Sequence, residues 1–71
     1  MSKHRHDLWL TVDGKAYKII TFHFNNQYLM VGIEDSKDNW LMFDRPAHLC
    51  AFATLSELRR VAKEEIRKLV N

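Results

Sequence analysis

Apolar and polar residues alternate along the first half of the chain and then change period. From Asp7 to Asp13, Leu8, Leu10 and Val12 fall on one side and Trp9 and Thr11 on the other, the period of a half-buried strand. Asp13-Gly14 marks a tight turn, and a second alternating run extends from Lys15 to Phe24. The length of that turn decides which faces coincide. A two-residue turn pairs Val12 with Lys15 and groups Leu8, Leu10 and Val12 with Tyr17, Ile19 and His23. A three-residue turn ending in a left-handed Gly14 pairs Thr11 with Lys15 and groups them with Ala16, Ile20, Phe22 and Phe24. The second register collects the larger apolar set, with Lys18 as its one misfit, and is the expected one.

Asn25-Asn26 is the next turn signal, because asparagine tolerates positive φ better than other residues with a side chain. A two-residue turn there brings Leu29, Val31 and Ile33 onto the face of Ile20 and Phe22. Asp35-Ser36-Lys37-Asp38 reads as a polar loop and Asn39 to Phe43 as a short fourth strand. Asp44-Arg45-Pro46 breaks the sheet, since proline has no amide hydrogen for a ladder. His48 to Ala53 stays open between a strand, an irregular crossing and an early helical turn capped by Asp44.

The period then becomes helical. Thr54-Leu55-Ser56-Glu57 has the spacing of a capping box. Leu55, Leu58, Val61, Ala62, Ile66, Leu69 and Val70 fall on one stripe, with Glu64 and Lys68 as an i,i+4 pair. Arg67 and Lys68 suit the negative end of the helix dipole. The expected fold is α+β: one domain over residues 1–71, with a frayed basic tail at 1–6, a four-stranded antiparallel meander at 7–43, and one C-terminal amphipathic helix at 54–70 packed on one sheet face.

If the helix covers the face of Leu10, Phe22 and Val31, the other face carries Trp9, Thr11, Tyr17, Ile19, Thr21, His23, Tyr28 and Met30, and Leu41 and Phe43 can join it. A solvated sheet face should be polar, so an apolar one marks an interaction surface. Trp9, Tyr17, Ile19, His23, Tyr28 and Met30 are the expected partner-binding residues. Residues 46–53, a second copy or a different macromolecule are the possible covers. On the helix, Arg59, Arg60, Lys63 and Arg67 form a basic ridge beside the apolar stripe, which suits a phosphate backbone or an acidic partner.

Composition narrows this further. The chain has 71 residues, 46% of them apolar and 28% charged, a soluble globular balance. A domain of this size buries only about 60% of the surface its unfolded chain exposes, so oligomerisation is a common remedy. The lone Cys50 excludes an internal disulfide framework. No apolar run approaches the ~20 residues that span a bilayer, and a cytoplasmic location is expected. The net charge of +2 divides into +2 over residues 1–24, −2 over 25–45 and +2 over 46–71, too weak by itself to signal nucleic acid.

Candidate chemistry is sparse. His4-x-His6 and His48-x-Cys50 could supply four metal ligands, but zinc sites favour other spacings, and no metal or cofactor is expected. His48 and Cys50 form a nucleophile–base pair only if the fold joins them, and the apolar neighbours Leu49, Ala51 and Phe52 favour a buried thiol. The carboxylate pairs Glu34-Asp35 and Glu64-Glu65 read as loop and exposed helix. The expected function is a small non-enzymatic regulatory or adaptor protein that binds another protein, or itself as a homodimer. The alternative is a nucleic-acid module that stacks bases on Trp9, Tyr17 and Tyr28 and neutralises phosphate with the ridge. Neither a membrane nor a small-molecule substrate is inferred.

Overall fold

The structure, a computed structural model, describes residues 4–41 and 45–70. Its strands are β1 (His4–Arg5), β2 (Leu8–Val12), β3 (Lys15–Phe24), β4 (Gln27–Asp35), β5 (Trp40–Leu41) and β6 (Ala51–Phe52), followed by the helix α1 (Leu55–Val70). All strand pairs are antiparallel. The sheet curls into a half-barrel, and α1 packs against it, the expected α+β arrangement. β1 and β2 both border β3, and β5 and β6 both border β4, so the six strands fill four lanes.

The first turn departs from expectation. Asp13 and Gly14 are both left-handed, with φ of 51° and 79°, and Val12 pairs directly with Lys15. This is the two-residue hairpin, whose backbone twist matches that of the flanking strands, and not the bulged three-residue form. Tyr17 and Ile19 therefore join Leu8, Leu10 and Val12 on the helix side, while Lys18 points away. The bulged register would have buried the Lys18 charge in the core, a cost that the larger apolar set does not offset.

Asn25 and Asn26 form the expected two-residue turn, with φ of 56° and 61°. Phe24 pairs with Gln27 and Phe22 with Leu29. The register then slips: Thr21 faces Met30 but Ile20 faces Gly32, so Val31 is left over in a bulge. A one-residue slip moves every later side chain to the opposite face. Ile33 thus meets Ile19 in the core rather than lying with Ile20 and Phe22.

Asp35 organises the next loop. Its Oδ1 accepts the amides of Lys37 and Asn39, both at 2.9 Å, and its Oδ2 accepts Asn39 Nδ2 at 3.2 Å. Leu41 pairs with Ile33 and packs against the core, not on the far face. The expected strand end at Met42-Phe43 and the role of Asp44 as a breaker or cap lie outside the described residues. Residues 47–49 form a 3-10 turn. The Met30 amide donates to Cys50 O at 2.9 Å, and β6 continues along the edge of β4. The segment 46–53 therefore extends the sheet edge and sends Phe52 into the core; it does not cover the second face. His4 and Arg5 pair with β3, so that part of the expected frayed tail is a strand, and residues 1–3 lie outside the described range.

At the start of α1, Thr54 Oγ1 accepts the Glu57 amide at 3.2 Å. Leu58, Val61, Ala62 and Ile66 are buried, Leu55 and Leu69 pack at the margin, and Val70 is exposed. Glu65, expected on the exposed face, is only 8% exposed. Its Oε1 meets Arg45 Nη1 at 3.2 Å, while Arg45 Nε donates to Leu49 O at 2.7 Å. This clip ties the edge segment to the helix. Glu64 pairs with Arg60 at 3.6 Å rather than with Lys68.

Ile33→Ala should lower the unfolding free energy by about 2–5 kcal/mol, read from urea denaturation. Gly14→Ala should cost about 1–2 kcal/mol through its left-handed backbone, with no clash, since nothing lies within 4 Å of the added carbon. Val31→Ser, at an exposed position, should stay within about 0.5 kcal/mol of the parent.

Candidate functional site

The two hairpin turns and the bulge together place a row of four side chains across the sheet face away from α1. Trp9 is opposite Lys18, Lys18 opposite Glu34, and Glu34 opposite Trp40. The inner members form an ion pair, Lys18 Nζ to Glu34 Oε2 at 3.5 Å, and the ammonium lies 5.9 Å from the Trp9 ring centroid. The outer members are two indoles, 56% and 55% exposed. Directly opposed aromatic, cationic and acidic side chains interact at this spacing.

The next rows are apolar. Trp40 folds over Gly32, where an added β-carbon would meet the six-membered ring of the indole and displace it. Ile20, opposite Gly32, is 7% exposed. Beyond it lie half-buried Phe22 and Leu29, and the bulge residue Val31 is 44% exposed. The face is thus an apolar strip framed by tryptophans.

Its charges cancel. Besides Lys18 and Glu34, Arg5 meets Asp7 at 3.0 Å. The Arg5 hydrogen bond holds the Asp7 carboxyl below the usual carboxylate range, and Asp7 in turn raises the Arg5 guanidinium.

The residues expected on the docking face separate. Trp9 lies on it. Tyr17, Ile19 and Met30 are buried beneath α1, because the two-residue hairpin exchanged the two sheet faces. His23 and Tyr28 share that helix side near the Asn25-Asn26 turn, with rings stacked at 4.6 Å, and Tyr28 packs against the core. Trp40, Val31 and Phe22 take their places on the outer face. The expected strand at Asn39 to Phe43 has the opposite phase: Leu41, expected on this face, packs on the core instead, which turns Trp40 outward opposite Glu34.

Arg59, Arg60, Lys63 and Arg67 are all exposed on α1, in the layer opposite the tryptophans. Arg60 is engaged by Glu64. The aromatic and basic halves of a base-stacking surface therefore lie on different sides of the molecule.

Among the described residues, no three His, Cys, Asp or Glu side chains converge on a metal position. Cys50 is buried, its Sγ 3.4 Å from Pro46 O, and burial pushes the thiol up, the reverse of what a nucleophile needs. A cleft of about 450 Å³ opens where Lys15, Tyr17, Lys37, Leu41 and Val70 meet at one end of the sheet. The carboxylate on its wall, Asp35, is already committed to its turn. Among the described residues, no helix is long and apolar enough to cross a membrane.

Two chemical predictions follow from these environments. The Asn39 and Lys37 amides hold Asp35 below the usual carboxylate range, so its contribution is present above about pH 4 and is lost as the pH falls through the folded value. The melting temperature of Asp35→Ala should accordingly fall less than that of the parent between about pH 4 and pH 2. Cys50 should react with a disulfide reagent at least about tenfold faster in urea than in the folded protein at neutral pH. Compared with known proteins, the chain matches no family model, no curated protein sequence and no solved structure.

Proposed function

We propose that this protein is a small non-enzymatic regulatory or adaptor module of the cytoplasm that binds another protein through its outer sheet face and self-associates as a homodimer. The observation that carries the reading is the apolar strip of Phe22, Leu29 and Val31, laid over buried Ile20 and bordered by half-exposed Trp9 and Trp40. Large aromatics around an apolar centre are typical anchors of protein interfaces. The face has little net charge to attract phosphate, because Lys18 and Arg5 are each paired with a carboxylate on the chain. The small size favours self-association, which adds buried surface to a core of one helix and one sheet.

The second reading, nucleic-acid binding, now rests on the exposed helix ridge of Arg59, Lys63 and Arg67 rather than on stacking. The two readings separate by salt and by variant. Immobilised parent protein should retain a protein partner from native lysate that Trp9→Ser and Trp40→Ser each weaken at least tenfold, on the order of 1.4 kcal/mol, with unchanged circular dichroism. Retention of an oligonucleotide that falls steeply with salt and is lost in Arg59→Glu, with no effect of the tryptophan variants, would overturn the protein-binding reading.

A further inference from the structure

The two long edges of the sheet are built differently. The β4 side is closed by two fragments of two residues each, β5 and β6, with Pro46 in the segment between them. Short, interrupted strands and proline are the usual means of blunting an edge. The β3 side is bordered by the two-residue β1, with its Arg5–Asp7 ion pair, and then by β2, five unbroken residues, Leu8-Trp9-Leu10-Thr11-Val12, with no charge and no proline. No strand borders its outer side among the described residues.

The hairpin register says which backbone groups that edge presents. In a two-residue hairpin the residues flanking the turn, Val12 and Lys15, exchange both ladder bonds, and the pattern repeats every second residue. Leu8, Leu10 and Val12 thus bond to β3 and point their amides inward. The N–H and C=O groups of Trp9 and Thr11 point outward, and neither amide meets a turn, loop or side-chain acceptor among the described residues.

We infer that β2 is a self-pairing edge, on which a second copy of this chain docks its own β2 antiparallel, about a two-fold axis at Leu10. The inference deepens the self-association of the proposed function by naming its surface. In this register Trp9 and Thr11 of each copy exchange N–H···O bonds with Thr11 and Trp9 of the other, four in all. Leu10, half-buried in the single chain, meets Leu10 of the second copy on the helix side, and Leu8 meets Val12. Within the five residues no charged side chain is brought opposite another. Just beyond them Asp7 comes opposite Asp13 of the second copy, and the Asp7 charge is already met by Arg5 at 3.0 Å, so the uncharged run suits a second copy. The two outer faces then join into one surface, with both tryptophan-framed strips left open for a partner.

Thr11→Pro removes one outward amide without touching the ladder to β3, so it should be a monomer by sedimentation with the circular dichroism of the parent. In the parent, amide exchange at Trp9 and Thr11 should slow at least about tenfold from dilute to concentrated solution; this stands alone should Thr11→Pro not fold. Trp40→Ser should leave the dimer intact. A parent that is monomeric at every concentration, or a dimer whose Trp9 and Thr11 amides exchange as in the monomer, overturns the inference. So does a dimer broken by Trp40→Ser and untouched by Thr11→Pro, or an edge that accepts only an extended peptide. An intact β2 dimer whose partner binding ignores Trp9→Ser and Trp40→Ser would sink the docking-face reading alone.

Discussion

The turn at Asp13-Gly14 governs the arrangement of everything after it. With two residues in left-handed conformation, Val12 must face Lys15, and the alternation of a strand carries that choice along all of β3. Tyr17 and Ile19 then lie under the helix, and Lys18 lies outside. One additional residue in the turn would place Lys18 in the core and Ile19 in water. The energetic case is asymmetric: an unpaired buried ammonium costs more than the partial exposure of an isoleucine or phenylalanine.

The bulge at Val31 is the second adjustment of phase. Without it, the tight turn at Asn25-Asn26 would set Ile33 outward and Glu34 inward. The extra residue restores agreement between the two halves of β4, so that Tyr28, Met30 and Ile33 all face α1 while Glu34 reaches Lys18. The same slip puts Gly32 under Trp40. Core and outer face are therefore specified by the same two backbone features.

Several elements were legible in the residues themselves. The helix, its Thr54 cap and the buried set Leu58, Val61, Ala62 and Ile66 follow from periodicity, and the Asn25-Asn26 turn from local backbone preference. Glu65 was not legible, because its burial depends on Arg45 arriving from twenty residues away. Phe52 belongs to a two-residue strand, too short for any periodic signal, and Leu41 lies in an expected strand but on the opposite face, because its phase is set by pairing with Ile33. The candidate docking face was recognised as a kind of surface, an apolar excess on a sheet, but of its named members only Trp9 lies on it.

By itself the sequence determined where the three longer strands and the helix lie, that the chain is α+β, and that the sheet carries an apolar excess on both faces. Those properties are local or additive: they depend on nearest-neighbour preferences and on composition. Only the tertiary structure decided which face the helix covers, which tryptophans frame the other, and which edge of the sheet is left open. Each of these depends on register, a one-residue quantity to which local propensity is nearly blind and which the burial of charge against apolar area resolves.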